Sequence, residues 1–238
     1  MVSPNASSNS GSLQEQVQEL INHYNQGHFE VVLSKVETLI ALYPKAGVLF
    51  NIKGIALKNK GDLKGAINSY KQAIKIEPNF AVAYLNLGAA MTNKGNFEAA
   101  IESCKKAIKI QPGYAEAYLN ISIALMRKGD LDGAIDNSRQ AVKLKPDFAE
   151  AYHNLGDSLF SKGDLVESID CYRQALKIAP ENVQAYEGIS GCLRHYIWGH
   201  NNRISENLGK IDNLIELEKQ KLKIKIKKYS LWIVDIPW

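Results

Sequence analysis

The sequence predicts an all-α solenoid of about five stacked helix hairpins. Three observations support this: short strings return every 34 residues, glycine and proline recur at that interval, and apolar residues between them follow helical spacing. "AYLNLG" at 83–88 returns as "AYLNIS" at 117–122 and as "AYHNLG" at 151–156. A fixed period of this length is typical of repeat architectures, in which each unit buries its apolar face against its neighbours.

Glycine marks the turn inside each predicted hairpin, and proline marks the end of the hairpin. Glycine adopts the left-handed conformation that ends a helix, and the Asp or Asn after it caps the next helix. Proline closes the second helix because it cannot continue one. The glycines are Gly27, Gly61, Gly95, Gly129 and Gly163, and the prolines are Pro44, Pro78, Pro112, Pro146 and Pro180.

We call the residues that share one position of the 34-residue repeat a column. Two further columns indicate how the helices pack within a unit. An aromatic residue opens each unit after the first, and small residues such as Gly88, Ala100 and Ala107 lie where the two helices must approach closely. The aromatic residues are Phe50, Tyr84, Tyr118 and Tyr152, and Tyr186 continues the same 34-residue step beyond the fifth repeat. The repeats depart modestly from this pattern at three positions: Ser122 replaces glycine, Ser168 replaces alanine, and Cys104 and Ser138 replace the second-helix aromatic residue.

These residues resemble the tetratricopeptide repeat, whose 34-residue pattern the stretches 83–112 and 151–180 match nearly column for column. The repeats are also similar to those of bacterial proteins that fuse such repeats to transferases, and to the superhelix of O-GlcNAc transferase. The resemblance implies a right-handed superhelix whose first helices line a concave groove. In the family, that groove holds an extended peptide or a partner helix.

The predicted organisation follows the 34-residue step. A flexible leader at 1–12 precedes the repeats, a capping helix follows at 183–198, and an amphipathic helix and a basic tail occupy 199–238. The first repeat is degenerate, with Gln16 in place of the aromatic residue and Leu20 in place of glycine, as expected of a terminal unit. The five repeats are predicted at 13–46, 47–80, 81–114, 115–148 and 149–182.

Hydropathy, cysteine content and net charge restrict the predicted compartment and the predicted kinds of partner. No apolar run has the length of a transmembrane helix, and an odd number of unpatterned cysteines fits a reducing compartment, so the cytoplasm is predicted. Of the net charge of +4, residues 199–238 contribute +3. The rest of the chain is therefore close to neutral. We expect no broad basic face on it, and binding to nucleic acid is not predicted.

The sequence contains no recognisable catalytic motif. It lacks a glycine-rich phosphate loop, a nucleophile elbow and an HExxH helix. Cys192, His195 and His200 are too few and wrongly spaced for a zinc site. We therefore predict a protein that is not an enzyme and has no catalytic residues, cofactor or metal.

Candidate binding residues are inferred by resemblance to the family's groove. Asn86, Asn120 and Asn154 occupy the position at which O-GlcNAc transferase carries an asparagine ladder, and Ile52 and Gly188 interrupt the row on either side. An amide both donates and accepts hydrogen bonds, so such a row suits a peptide backbone; a role in local structure is the alternative. The complete predicted groove set is Asn51, Asn86, Asn93, Asn120, Arg127, His153, Asn154 and Asp157.

The predicted function is a non-catalytic scaffold that binds a protein or peptide partner whose identity the sequence does not give. The family's carboxylate clamp is not expected, because its positions carry Val48, Val82, Leu85 and Leu119. An alternative is the substrate-binding module, or a truncated remnant, of a repeat-containing glycosyltransferase or sulfotransferase. A third hypothesis is peripheral membrane contact through Lys219–Lys228, where six lysines fall in ten residues. The oligomeric state is left open.

Overall fold

The computed structural model describes residues 12–199. The chain divides into two compact units. The first ends at Ile189, and the second begins at Ser190, where only the end of the last helix is described. Nearly all of the predicted leader and tail, including the amphipathic helix and Lys219–Lys228, lies outside the described residues. The division of the chain into leader, cap and tail therefore stays a prediction.

The described residues form eleven α-helices and no strand, so the all-α fold is confirmed. Ten of them pair into five consecutive helix hairpins, and the eleventh follows the last hairpin. The helices are α1 Leu13–Asn25, α2 Phe29–Leu42, α3 Gly47–Asn59, α4 Leu63–Ile76, α5 Ala81–Asn93, α6 Phe97–Ile110, α7 Ala115–Lys128, α8 Leu131–Leu144, α9 Ala149–Lys162, α10 Leu165–Ile178 and α11 Val183–Gly199.

The turn inside each hairpin has the geometry that its residues predict. All five turn glycines have positive φ, from 76° to 92°, which side chains other than glycine rarely adopt. In the second hairpin Asp62 caps α4, because its carboxylate accepts a hydrogen bond from the backbone N–H of Gly65 at 2.8 Å. Asn96, Asp130 and Asp164 cap α6, α8 and α10 in the same way. In these four hairpins the glycine and the following cap thus fix where the chain reverses, whereas His28 at the start of α2 makes no side-chain cap.

The two helices of each hairpin approach closely at one pair of facing residues. The sizes of the two side chains in this pair vary in a complementary way from repeat to repeat. A Cβ added to Gly54 would lie 2.5 Å from Cε1 of Tyr70, so the ring occupies the space that a side chain would need. Where serine replaces glycine, the facing residue is also small, and the hydroxyls of Ser122 and Ser138 are 2.6 Å apart. The corresponding pairs are Leu20–Val36, Gly54–Tyr70, Gly88–Cys104, Ser122–Ser138 and Gly156–Tyr172.

Neighbouring hairpins share one another's core. Leu119 of α7, Ala141 of α8 and Ala151 of α9 are buried in one cluster, although they come from two successive repeats. Burying apolar area of this kind stabilises the protein by roughly 25 cal/mol per Å². Because one hairpin completes the core of the next, the stack behaves as a linear array of coupled units.

Helix α11 begins where the capping helix was predicted. Ala185 and Ile189 are buried on it, and Gly188 lies directly against the ring of Tyr172, with a hypothetical Cβ only 2.4 Å from Cζ. The start of α11 therefore packs against the second helix of the fifth hairpin. The glycine that interrupts the predicted asparagine row has a packing reason, since any side chain there would collide with Tyr172.

Candidate functional site

The predicted groove residues all lie on the first helices of hairpins two to five, and their exposure differs. Asn51 on α3 is 5% exposed, whereas Asn86, Asn120, His153, Asn154 and Asp157 are half-buried. Asn93 and Arg127, in the last turns of α5 and α7, are exposed, and their side chains make no hydrogen bond or ion pair within residues 12–199. The eight residues are therefore distributed along four helices and do not form a single pocket.

The first members of the set bridge two repeats. Nδ2 of Asn86 donates a hydrogen bond to Oδ1 of Asn51 at 3.0 Å, from α5 to α3. The two residues are 35 positions apart, which brings together side chains of successive first helices. Asn59 and Tyr24 show the same relation, since Nδ2 of Asn59 donates to the Tyr24 hydroxyl at 3.0 Å. These contacts show that first helices of neighbouring repeats present side chains to each other.

The three asparagines of the predicted row have three different environments. Asn86 is bonded across the repeat boundary, whereas Nδ2 of Asn154 donates to the carbonyl oxygen of Glu150 on its own helix at 2.9 Å. The side chain of Asn120 has no hydrogen-bond partner among the described residues. A local structural role therefore accounts for part of the bonding of Asn86 and Asn154, and it does not account for Asn120.

A polar cluster at the fifth hairpin joins three side chains. The Tyr172 hydroxyl donates a 2.6 Å hydrogen bond to Oδ1 of Asp157, and Nδ1 of His153 lies 3.5 Å from Oδ2 of the same carboxylate. The rings of His153 and Tyr172 meet edge to face, with centroids 5.7 Å apart. The cluster holds a carboxylate at a fixed position on α9.

Tyr172 was missed as a candidate site residue, because its column was interpreted only as packing. A signal was present in the sequence. The repeat positions that correspond to Asp157 carry Ile55, Ala89 and Ile123, so one repeat has a carboxylate in an otherwise apolar column. A half-buried carboxylate needs a hydrogen-bond donor, and the tyrosine of the facing helix supplies one.

The described thiols are unsuited to nucleophilic chemistry. Burial raises the pKa of the Cys104 thiol to about 12, and burial, followed by the charge of Glu167, does the same for Cys171. A thiol is reactive as its thiolate, which is scarce near neutral pH when the pKa is this high. These cysteines act as small apolar core residues.

One cavity among the described residues is lined by charged groups that already pair with each other. A cavity of about 440 Å³ lies beside Ile135, Arg139 and Leu159. Within its walls, Nη2 of Arg139 contacts both carboxylate oxygens of Glu167, at 2.7 and 3.0 Å. No group of side chains within residues 12–199 is arranged to hold a metal ion.

None of the helices between residues 12 and 199 is both long enough and apolar enough to cross a bilayer.

Solved structures resemble this chain over most of its length. The crystal structure of MamA protein has 27% identity and a TM-score of 0.61, and the match covers 82% of this chain and 100% of that one. TTC0263, described as a thermophilic repeat protein in Thermus thermophilus, has 22% identity and a TM-score of 0.65, covering 77% and 100%. YrrB, described as having an unusual peptide-binding site, has 17% identity and a TM-score of 0.57, covering 76% and 94%. A search of curated proteins found no match.

Family models match the repeats directly. A model described as "TPR repeat" matches residues 54–95 and 123–163, and a model described as "Tetratricopeptide repeat" matches residues 81–114 and 149–182. Together the matches span about half of the chain, and they fall on the hairpins described above. The particular likeness to O-GlcNAc transferase stays a prediction. The chain belongs to the tetratricopeptide repeat family.

Proposed function

We propose that the protein is an interaction scaffold that binds an extended peptide along the first helices α3, α5, α7 and α9. The observation that carries the proposal is the amide at one position of three successive first helices, at Asn86, Asn120 and Asn154. The side chain of Asn120, in the centre of the row, has no hydrogen-bond partner among the described residues. A half-buried amide without a partner is a position at which a ligand's backbone gains a hydrogen bond.

The spacing of the row suits an extended chain. Packed helices lie about 8–10 Å apart, and an extended peptide rises about 3.3 Å per residue. One amide per repeat therefore meets the peptide backbone about once every three residues. Contacts of this kind recognise an extended conformation and leave the ligand's side-chain sequence largely free.

The His153–Asp157–Tyr172 cluster would add selectivity at one end of such a ligand. Asp157 is held by the Tyr172 hydroxyl and still exposes about a third of its side chain. An anchored carboxylate forms charge-assisted hydrogen bonds with a donor side chain such as lysine or arginine. We expect peptides that bind this face to carry a basic residue near the α9 end.

The test uses a phage-displayed library of random peptides selected against the full chain. Selected peptides are then measured by fluorescence anisotropy against a variant with alanine at Asn86, Asn120 and Asn154. We expect affinity to fall on the order of a hundredfold, since the variant loses three hydrogen bonds that each contribute about 1 kcal/mol. Circular dichroism establishes that the variant remains folded.

A matched control removes three amides from the second helices. Gln72, Gln140 and Gln174 share one repeat position and are exposed. Their replacement by alanine should leave peptide affinity unchanged. Failure to select any peptide, or equal losses in both triple variants, would contradict the proposal.

A further inference from the structure

The repeats differ in net charge, although the charges of residues 1–198 sum to nearly zero. Residues 47–114 contain ten lysines and four acidic residues, a net charge of +6. Residues 115–182 contain eight basic and eleven acidic residues, a net charge of −3. The expectation of no broad basic face, drawn from the summed charge, does not hold for the second and third hairpins.

The four acidic residues of this basic region are all engaged. Asp62 and Glu77 each accept a 2.8 Å hydrogen bond from a backbone N–H at a helix start. Glu98 pairs with Lys128 at 2.9 Å, and Glu102 pairs with Lys106 at 3.3 Å. None of these carboxylates forms an ion pair with the remaining exposed lysines of the region.

Six exposed lysines of α4, α6 and the turn between α5 and α6 therefore have no ion-pair partner among the described residues. On α4 the steps of seven and four residues between its lysines return to the same side of the helix, and the pair on α6 is also four residues apart. We name this surface the basic patch. It consists of Lys64, Lys71, Lys75, Lys94, Lys105 and Lys109.

One position in the basic patch breaks a regular row of ion pairs. At three boundaries between hairpins, an acidic residue in the first turn of a second helix pairs with the lysine 30 residues later. At the remaining boundary both positions carry lysine, Lys64 and Lys94. Lys64 also lies in the first turn of α4, where the helix dipole disfavours a cation. The pairs in the regular row are Glu30–Lys60, Glu98–Lys128 and Asp132–Lys162.

We propose that the basic patch binds the surface of an anionic lipid bilayer. A cluster of several basic side chains on one surface is attracted to anionic headgroups without the need for a shaped pocket, and each lysine strengthens binding about fivefold. In the isolated protein Lys64 has Lys94 in place of an acidic partner and lies at the positive end of the α4 dipole. Contact with anionic headgroups offsets both of these unfavourable interactions.

The composition of the region favours a membrane over other polyanions. Residues 47–114 contain no arginine, and none of their aromatic residues is exposed. Single-stranded RNA is usually bound by stacking on exposed aromatic rings and arginine. Protein interfaces are enriched in arginine and aromatic residues and depleted in lysine. Lysine alone, as a hydrated point charge, suits the diffuse negative charge of a headgroup layer.

The test is co-sedimentation of the full chain with vesicles of phosphatidylcholine, with and without one-third phosphatidylglycerol. The test variant carries Lys75→Glu and Lys109→Glu, and the matched control carries Lys143→Glu and Lys177→Glu. All four lysines are exposed and share one repeat position, so the two variants differ only in the half of the repeat array that they change. Both retain Lys219–Lys228, and their difference reports on the repeats.

We expect the full chain to bind the anionic vesicles and to release them at high salt. The Lys75→Glu/Lys109→Glu variant should bind about thirtyfold more weakly or worse, and the control variant should bind nearly as well as the unchanged chain. Equal weakening of both variants would overturn the proposal, as would absence of binding by the unchanged chain. Binding to single-stranded RNA without binding to anionic vesicles would overturn it in favour of nucleic acid.

Discussion

The second and fifth hairpins are the same structure with different chemistry. Equivalent residues of the two hairpins are 102 positions apart in the sequence. Each hairpin packs a tyrosine of its second helix over a glycine of its first. A Cβ at Gly54 would lie 2.5 Å from the Tyr70 ring, and one at Gly156 would lie 2.7 Å from the Tyr172 ring. The repeat thus preserves the apolar contact to within a few tenths of an ångström.

The polar ends of the two tyrosines differ. The Tyr172 hydroxyl donates to Asp157, whereas the buried Tyr70 hydroxyl makes no hydrogen bond within the described residues, where Ile55 takes the position of Asp157. Burial raises the pKa of Tyr70 well above its usual value, and the charge of Tyr24 adds to this. The repeat columns therefore determine packing, while residues between the columns determine polar chemistry.

Replacing each tyrosine by phenylalanine should separate these two contributions most clearly. Tyr172→Phe removes a hydrogen bond to a carboxylate and should lower the free energy of unfolding by about 1–2 kcal/mol. Tyr70→Phe removes a buried hydroxyl without a partner and should leave the free energy of unfolding unchanged or raise it by about 1 kcal/mol. Urea unfolding measures both.

The double variant is the control for this pair, because the sites lie in separate repeats and their effects should add. A loss of stability from Tyr70→Phe as large as that from Tyr172→Phe would show that the Tyr70 hydroxyl has a hydrogen-bond partner, such as a buried water. The comparison between the two hairpins would then fail.

The repeat made the fold predictable from the sequence. Five glycines in register indicated positive φ at every hairpin turn, and all five have it. The small residues indicated close helix contacts, and the substitutions Ser122 and Ser138 proved to be a matched pair at one such contact. Periodic features are predictable because each occurrence is independent evidence for the same local geometry.

The candidate site was less predictable, because its bonding depends on single residues. The sequence placed Asn86, Asn120 and Asn154 on one helix position, but it did not show that Asn86 bonds to Asn51 or that Asn154 bonds to Glu150. Amide orientation depends on neighbours one repeat away and on the local backbone. Likewise, the net charge of the whole chain did not reveal the basic patch, because the positive charge of residues 47–114 is partly cancelled by the negative charge of residues 115–182.

A second contrast between the hairpins concerns pH. Cys171 occupies the position that Ser69 occupies in the second hairpin, and burial followed by the charge of Glu167 raises the thiol pKa to about 12 from a usual value of 9.0. Between these values the unfolded chain releases the thiol proton and the folded chain retains it. Stability due to this group is therefore complete below pH 9 and is lost as pH rises towards 12.

Cys171→Ser should therefore reduce the loss of stability on going from neutral pH to about pH 10 by about 1 kcal/mol. Urea unfolding at the two pH values measures the difference. Ser69→Cys is the reciprocal control and should increase the alkaline loss. If Cys171→Ser lost stability between the two pH values as steeply as the unchanged chain, the thiol would have no part in the pH dependence.

The smallest expected effect concerns the broken ion-pair row at α4. The position of Lys64 carries Glu98 and Asp132 in the third and fourth hairpins, and the exposed, uncharged Val166 in the fifth. Lys64→Glu should create an ion pair with Lys94 and place a negative charge at the start of α4. Together these should raise the free energy of unfolding by about 0.5–1 kcal/mol at low salt.

Lys64→Gln separates repulsion from pairing, because it removes the cation without supplying a partner, and it should give a smaller gain. The difference between the glutamate and glutamine variants should shrink at high salt and vanish when Lys94 is also replaced by alanine. Because Lys64→Glu also weakens the basic patch, it should stabilise the protein while reducing its binding to anionic vesicles. A gain in stability with undiminished vesicle binding would mean that Lys64 contributes nothing to the membrane contact, and that the break in the row has no function there.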